Sequence, residues 1–330
     1  MKKFLTGSYL LPTFFLAALA LPAFAADPQS PLTIRSNKLL LLDAAYADKN
    51  IIAVGERGTI LIASASNFGT SNSGASNVSD VGNTWQPAPS PTAMTLTAIT
   101  FADTQHGWAV GHDAVIIHSN DGGKNWQLQH SAPEKQAPLM DVWFENAQTG
   151  FAVGAYGAFY QTQDGGKSWQ TRKVLADDTH INTLVGGSDG KIFLAGEAGL
   201  MARSLDHGKS WQPLKSPYAG SFFGALRLRG NTLLAFGLRG HVFRSTDFGK
   251  SWAAVSVATE SSLMGGNILP DGTAVIVGYD GLILLSTDQG KSFSSLRTPA
   301  RKALAAVLGT QTNQLILFGE AGVTSQVLNE

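Results

Sequence analysis

Six aspartates recur at nearly constant spacing along the chain, and carboxylates are the side chains that bind divalent cations and transfer protons. The steps between them are 41, 43, 42, 41 and 41 residues, and the residues are Asp80, Asp121, Asp164, Asp206, Asp247 and Asp288. The first question about this protein is therefore whether these carboxylates form one site or shape six turns.

The residues around each aspartate favour a structural role. Four copies follow the complete pattern Ser/Thr-x-Asp-x-Gly-x-x-Trp, at 119–126, 162–169, 204–211 and 245–252. The copy at 286–293 ends in Phe293, and the copy at Asp80–Trp85 lacks the leading hydroxyl. In such a turn the aspartate accepts hydrogen bonds from backbone amides, the glycine takes a left-handed conformation, and the tryptophan closes the hairpin against its neighbour. Six copies on six repeats point away from one another. We therefore expect the aspartates to stabilise six turns and not to form one catalytic or ligand site.

Other signals of catalysis are weak. The chain has no cysteine, which excludes disulfides, thiolate metal sites and a cysteine nucleophile. Its seven histidines are scattered without metal-ligand spacing, and neither a G-x-S-x-G elbow nor a phosphate-binding loop is present. We therefore predict that the protein is not an enzyme, with no catalytic residue, metal or cofactor.

The repeats must position whatever site exists. In the third repeat, "LMDVWF", "GFAVG", "AFYQTQ" and "SWQTRKV" indicate four short strands, here called a to d. A small residue stands on each side of a two-residue connection between strands b and c, and we expect flanking glycines to supply positive φ there. Four-stranded units every ~42 residues predict an all-β, seven-bladed β-propeller.

The two ends of the chain are expected to share a blade. The seventh repeat has strands a, b and c but no strand d. The segment "PLTIRS", residues 31–36, precedes the first strand a and belongs to no other blade, so we predict that it completes the last blade.

Propeller topology places the b-to-c and d-to-a connections on one face and the a-to-b and c-to-d turns on the other. Binding residues concentrate in loop tips on a rigid scaffold. The polar and aromatic b-to-c tips are therefore the candidate binding residues: Glu56, Arg57, His112, Asp113, Tyr156, Glu197, Arg239, Tyr279, Asp280 and Glu320. The alternative is that hairpin tips are polar only because they are wet.

Further positions have less specific expectations. Lys135, Tyr218 and Arg301 lie in longer d-to-a connections and are expected at the rim of the same face. The equivalent strand-c residues His118, Gln161, Arg203 and Arg244 are expected to be solvated. Residues 64–79 form a Ser-, Asn- and Gly-rich insert in the first blade, expected to be a flexible loop.

The first 25 residues are typical of a secretory signal peptide. Lys2 and Lys3 precede a short apolar run that ends in Ala23-Phe24-Ala25, which predicts cleavage after Ala25 and export to the periplasm or an equivalent compartment. An uncleaved amino-terminal anchor is the alternative. Removing the two lysines from 24 basic residues leaves 22 against 24 acidic ones, which argues against a nucleic-acid partner. We expect residues 26–330 to form one domain and a monomer.

The whole mature chain resembles the photosystem II stability and assembly factor family. The resemblance rests on the export signal, the seven repeats, the G-x-x-G before D-G-G-K-S-W, and the segments "FADTQHGWAVG" and "FENAQTGFAVG". It implies a non-enzymatic factor that binds a membrane or envelope protein complex, which would be a reaction-centre subunit in a phototroph or a transport system elsewhere. The family's arginine-rich patch has its best counterparts here in Arg57, Arg239, Arg203 and Arg244.

A second function belongs to another class. The same repeat occurs in sialidases, so a glycan-binding or glycan-cleaving propeller remains the alternative. Such an enzyme needs arginines for the substrate carboxylate, a Tyr-Glu pair and an acidic residue. The candidates for these roles are Arg57, Arg239, Tyr156, Glu197 and Asp280. Sialidases have six blades, whereas this chain has seven repeats.

Overall fold

Seven antiparallel sheets make up the computed structural model, which describes residues 38–68, 85–310 and 313–328. Each inner strand packs against the inner strand of the next sheet, and the last inner strand packs against the first, so the sheets form a closed ring. The prediction of a seven-bladed propeller is confirmed.

The strands follow chain order within every blade, from the axis outward. Blades 1 to 3 contain β1 Leu41–Ala47, β2 Asn50–Gly55, β3 Ile60–Ser64, β4 Gln86–Pro87; β5 Leu96–Phe101, β6 Gly107–Gly111, β7 Ile116–Ser119, β8 Gln127–His130; and β9 Leu139–Phe144, β10 Gly150–Gly154, β11 Phe159–Thr162, β12 Gln170–Thr171. Blades 4 and 5 contain β13 Ile181–Gly186, β14 Ile192–Gly196, β15 Met201–Ser204, β16 Gln212–Pro213; and β17 Phe222–Arg227, β18 Leu233–Gly237, β19 Val242–Ser245, β20 Ala253–Val255. Blades 6 and 7 contain β21 Leu263–Ile268, β22 Ala274–Gly278, β23 Leu282–Ser286, β24 Ser294–Arg297; and β25 Leu304–Gly309, β26 Gln314–Gly319, β27 Gly322–Val327.

The outermost strands are shorter than the sequence suggests. The "SWQTRKV" segment was expected to be a seven-residue strand, but only Gln170–Thr171 pairs with β11. Both residues of β12 are exposed, so no apolar face holds a longer strand there. By contrast, β10 in the middle of the same blade is buried along its whole length.

The core consists of seven apolar layers, one between each pair of neighbouring blades. An aromatic residue from the repeated aspartate turn lies in six of these layers, packed against the preceding blade: Trp85, Trp126, Trp169, Trp211, Trp252 and Phe293. In the layer between blades 6 and 7, Leu328 packs at the edge of the cluster. The layer between blades 7 and 1 closes the ring, and the Tyr46 hydroxyl donates to Gly309 O across it at 2.7 Å.

The aspartate turns are self-contained hydrogen-bond networks. Asp206 accepts bonds from the Ser204 hydroxyl at 2.7 Å and from the amide and hydroxyl of Ser210 at 2.9 and 2.6 Å. The Ser210 hydroxyl bond, followed by the other bonds to the carboxylate, lowers the pKa of Asp206 to about 2. Both carboxylate oxygens accept hydrogen bonds from residues of the same turn, which supports a structural role for the repeated motif.

The first glycine of each hairpin has a different role from the one expected. Gly154 has an extended backbone, with φ −174°, and only the second glycine, Gly157, has a positive φ, 68°. A Cβ atom at Gly154 would lie 2.2 Å from Pro138 O and 2.7 Å from Leu139 Cα, because strand a carries a β-bulge at this point. This glycine therefore permits the close approach of two backbones.

Three expectations lie wholly or mainly outside the described residues, and the first is the signal peptide at 1–25 with its alternative of an uncleaved anchor. Residues 31–36 are not described, so their place in the last blade stays a prediction. Of the insert at 64–79, the structure describes 64–68, where Phe68 is buried 5.8 Å from the ring of Trp85. No helix of the described residues is long and apolar enough to span a membrane.

Candidate binding face

Two opposite faces of the propeller are fixed by backbone hydrogen bonds between turns. The b-to-c turns bond to d-to-a connections, as in Ala132 N to Asp113 O and Thr298 N to Gly281 O. The aspartate turns bond instead to a-to-b turns, as in Gly165 N to Gln148 O. We call the first surface the hairpin face and the second the Asp-box face.

The hairpin face carries all ten candidate binding residues. Nine lie in six 3-10 turns at 56–58, 112–114, 155–157, 197–199, 238–240 and 279–281, and Glu320 lies in the turn between β26 and β27. They come from all seven blades, so they line one face of the ring and do not converge on one pocket.

The middle residue of each of the six turns has a left-handed backbone conformation, which divides the candidate residues at this position into two groups. Its φ lies between 51° and 60° in every turn: Arg57, Asp113, Tyr156, Ala198, Arg239 and Asp280. Turns of this kind prefer Asn, Asp or Gly at that position. Asp113 and Asp280 match that local preference. Arg57, Tyr156 and Arg239 do not, so turn chemistry does not explain their presence.

Several acidic candidates are engaged by neighbours in the chain. Glu56 Oε1 accepts from Leu40 N at 3.0 Å, and Glu197 Oε2 lies 3.2 Å from His180 Nδ1. Asp280 Oδ2 forms ion pairs with Arg297 at 2.7 Å and Arg301 at 2.9 Å. These three carboxylates are therefore less available to a partner.

The basic and aromatic candidates remain accessible. Within the described ranges, the guanidinium groups of Arg57 and Arg239 make no hydrogen bond or ion pair, and both side chains are exposed. Tyr156 is 62% exposed and Tyr279 is 51% exposed. The edge of the Tyr156 ring meets the ring of His180 at 4.9 Å, which orients it. Two acidic candidates are also unengaged: Glu320 is exposed, and Asp113 makes no side-chain hydrogen bond or ion pair among the described residues. Arg57, Arg239, Tyr156 and Tyr279 therefore supply the accessible cationic and aromatic groups of this face.

The three expected rim residues differ in availability. Lys135 Nζ donates to the Tyr160 hydroxyl at 3.2 Å, and Arg301 is paired with Asp280. Tyr218 stacks on His241, with ring centroids 4.3 Å apart.

The expectation that the strand-c residues are solvated is wrong for two arginines. Arg203 is only 6% exposed and donates to Phe248 O in the next blade at 2.9 Å, while Arg244 Nε donates to Gln289 O at 2.6 Å. Each guanidinium thus fastens its blade to the aspartate turn of the following blade. His118 is also only partly accessible, because it packs against Trp108 at 4.7 Å. Arg203 and Arg244 therefore connect neighbouring blades. Of the four arginines matched to the family's arginine-rich patch, Arg57 and Arg239 are the accessible ones.

The residues required for a sialidase are not assembled. Arg57 and Arg239 stand on blades 1 and 5, which are not neighbours in the ring, and Asp280 is held by two arginines. Tyr156 and Glu197 both contact His180. However, the b-to-c turns of their blades, 155–157 and 197–199, contain no arginine. Within the described part of the chain, no group of three or more His, Cys, Asp or Glu side chains could hold a metal ion.

Comparison with known families identifies the repeat architecture. The model of the family described as photosynthesis system II assembly factor YCF48 matches residues 76–138 and 133–277, together more than half of the 330 residues. The chain belongs to this family.

Curated YCF48 relatives match shorter segments. The photosystem II assembly lipoprotein Ycf48 of Prochlorococcus marinus (strain MIT 9313) is 42% identical over 141 residues, which are 42% of either chain. The photosystem II assembly protein Ycf48 of Thermosynechococcus vestitus is 37% identical over 54 residues, 15% of this chain and 16% of the relative. The chain thus matches less than half of the length of these relatives. Their names are those of assembly factors.

Solved YCF48 structures share the fold. One, described as YCF48 bound to D1 peptide, superposes with a TM-score of 0.69 at 18% identity and covers 89% of this chain and 95% of that one. YCF48 from Cyanidioschyzon merolae gives 0.64 at 16% identity, covering 88% and 95%. A WD40 propeller domain of Doa1 gives 0.66 at 13% identity, covering 88% and 93%, so likeness at this level shows architecture alone.

One chemical difference separates this chain from the YCF48 relatives named as lipoproteins. Those of Prochlorococcus marinus and Trichormus variabilis carry that name. The present sequence contains no cysteine, so it offers no thiol for a lipid anchor.

Proposed function

We propose that this protein is an exported, non-enzymatic assembly factor that holds a membrane or envelope protein complex against its hairpin face. The observation that carries the proposal is the accessibility of Arg57, Arg239, Tyr156 and Tyr279 on a face where neighbours engage Glu56, Glu197 and Asp280. Arginine and tyrosine are the side chains that most often anchor protein interfaces.

The mechanism needs no covalent step. Arg57 and Arg239 offer unengaged N–H donors that fit carboxylates, and the two tyrosines offer large, rigid contact surfaces. The β-sheet blades hold the tips in place, so little conformational entropy is lost when the partner binds. Because Arg297 and Arg301 offset the charge of Asp280, that carboxylate repels an acidic segment of the partner less than an unpaired one would.

The partner class follows from the family. A YCF48 structure is described as bound to D1 peptide, and on this basis we propose a reaction-centre subunit of photosystem II as the partner in a phototroph. In a bacterium without photosystems, the same face would hold another membrane complex, such as a transport system. The signal-like residues 1–25 support delivery to the periplasm or thylakoid lumen.

Charge reversal on the hairpin face tests the proposal. We expect the tagged mature protein to enrich one membrane complex from its native envelope, and Arg57→Glu/Arg239→Glu to reduce that enrichment at least about tenfold, because two anchor side chains together contribute more than 1.4 kcal/mol. The matched control is Arg229→Glu, an exposed arginine on the Asp-box face. Mass spectrometry measures enrichment, and thermal melting verifies that all three proteins are folded.

Different outcomes separate the candidate functions. Undiminished capture by the double variant would show that the hairpin face is the wrong face. If no complex is enriched by any form, and a glycan array or a panel of glycosidase substrates gives a signal, the glycan-binding alternative replaces the scaffold.

A further inference from the structure

The axis of the ring contains two carboxylates without a cation. A cavity of about 440 Å³ is lined chiefly by the inner strands, and Asp43 of β1 and Asp141 of β9 lie in its wall. No lysine, arginine or histidine is among its lining residues.

Both carboxylates cross a blade boundary. Asp43 Oδ1 accepts from Ala44 N at 2.8 Å, and its Oδ2 accepts from Ile99 N of blade 2 at 2.8 Å. Asp141 repeats the arrangement, with Oδ1 accepting from Val142 N at 2.8 Å and Oδ2 from Leu184 N of blade 4 at 2.7 Å. Each side chain therefore ties the β-bulge of its own inner strand to the inner strand of the next blade.

The other blades lack these carboxylates. The residues at the equivalent register position are Ala98, Thr183, Gly224, Gly265 and Ala306. A ring can evidently close there without a carboxylate, so the architecture alone does not require Asp43 and Asp141.

No neighbouring group neutralises the pair. Along the seven inner strands the other ionisable residues are Tyr46 and Arg227. The Tyr46 hydroxyl is bonded to Gly309 O, and Arg227 is bonded to Asp189 on the Asp-box face at 2.7 Å. The strands packed on β1 and β9, namely β2, β5, β6, β10, β13, β25 and β26, contribute no charged side chain. The turn at 112–114 also packs on β9 and carries His112 and Asp113, neither of which lines the cavity.

We propose that Asp43 and Asp141 form a proton-sensitive clasp, which takes up protons in the folded ring and weakens the closure of the ring when both carboxylates are ionised. Protons neutralise the two carboxylates because the described residues that line the cavity supply no cation. The proposal concerns the axis and is independent of the partner-binding face.

Electrostatics supports this interpretation. Asp43 and Asp141 keep part of their surface exposed to the cavity, but protein atoms surround both carboxyl groups on the other sides. This desolvation, opposed by the bond from Ile99 N and reinforced by the charge of Asp141, raises the pKa of Asp43 to about 7. Desolvation likewise raises the pKa of Asp141 to about 6. A carboxylate whose pKa is higher in the folded state adds stability that is fully present below pH 3.8 and is lost as the pH rises through the folded value. The stabilisation is therefore lost between about pH 4 and about pH 7, the ordinary and the folded pKa of Asp43.

Two histidines act in the opposite direction in part of that window. Burial lowers the pKa of His118 to about 4 and also lowers the pKa of His130. Because the folded state disfavours protonation of these histidines, the protein loses stability as the pH falls below their ordinary pKa of 6.5. A comparison between proteins that all retain both histidines removes their contribution.

The test compares the mature wild type with Asp43→Asn/Asp141→Asn by thermal melting from pH 5 to pH 8. We expect the difference in Tm, wild type minus variant, to fall by on the order of 5 °C across this range. The exposed Asp177→Asn is the matched control, and its difference from the wild type should not change with pH. A difference for the double variant that is constant from pH 5 to pH 8 would overturn the proposal.

A second measurement does not depend on the variants being stable. Carbon-13 NMR of aspartate carboxyl groups in the wild type should show two titrations above pH 5.5, whereas the absence of any above pH 4.5 would contradict the clasp. The Tm at pH 8 in 5 mM calcium or magnesium chloride, compared with the Tm in EDTA, tests whether a divalent cation neutralises the two carboxylates instead of protons. If the metal raises the Tm of the wild type but not that of the double variant, the two carboxylates bind a metal ion. That result would overturn the proposal.

Discussion

Single side chains in the aspartate turns determine whether each hairpin closes. The Ser204 hydroxyl, only 1% exposed, accepts from the buried Gly208 N at 2.9 Å while it donates to Asp206. The corresponding hydroxyls Ser119, Thr162, Ser245 and Ser286 do the same. The leading hydroxyl of the motif is therefore its buried member, although the aspartate is the residue that draws attention in the sequence.

Removing one such hydroxyl should be costly. Ser204→Ala leaves the Gly208 amide without its acceptor, and we expect a loss of about 1–3 kcal/mol in the free energy of unfolding. The control is Ser210→Ala in the same turn, whose hydroxyl is exposed and can be replaced by water. Urea unfolding measures both, and equal losses would contradict the role assigned to Ser204.

At the scale of elements, the b-to-c hairpins depend on close backbone contact. Strand a bulges in all seven blades next to the first glycine of the hairpin, and a Cβ there would approach a carbonyl oxygen of the preceding segment. In blades 1 and 3 the residue after the bulge, Asp43 or Asp141, bonds to the next blade, so hairpin and inter-blade geometry are linked there. Strand a is thereby placed where Asp43 and Asp141 reach their neighbours.

A glycine substitution distinguishes steric crowding from dihedral strain. Gly154→Ala keeps an ordinary extended backbone but places a methyl group against Pro138 O, so we expect a loss of about 3 kcal/mol. Gly230→Ala has no heavy atom within 4 Å but a φ of +67°, and should cost about 1 kcal/mol. Guanidinium unfolding gives both values, and a smaller loss for Gly154→Ala than for Gly230→Ala would refute the crowding argument.

At the scale of the whole molecule, the seventh blade decides how firmly the ring closes. Six described sheets have four strands and the seventh has three, so β27 has no outer neighbour among the described residues. The layer between blades 7 and 1 already joins the ends of the ring through apolar contacts. A strand from the amino-terminal segment would add hydrogen bonds to that junction.

Deleting residues 27–36 tests this prediction. We expect a marked fall in Tm because the outer edge of β27 loses its backbone partners. Deletion of 27–30 alone is the control and should leave the melting transition nearly unchanged, since "PLTIRS" is retained. An unchanged Tm after the longer deletion would rule out this mode of closure.

The fold was predictable from sequence because its determinants are local. Each aspartate turn spans eight residues and each hairpin four, and both recur at a step of about 42 residues, so strand order and blade number follow from counting. The candidate tips were found for the same reason. Which tips are accessible was not predictable, because the pairing of Asp280 depends on Arg297 and Arg301 in another connection.

Other features were decided only by the tertiary structure. Arg203 and Arg244 look like solvated strand residues in the sequence, but the packing of adjacent blades directs them onto turns 45 residues away. Asp43 and Asp141, almost a hundred residues apart, occupy equivalent positions in blades 1 and 3, but only ring closure brings them to one cavity. Local spacing therefore determined the blades, whereas the charges at the axis and on the hairpin face depend on which distant side chains the closed ring places together.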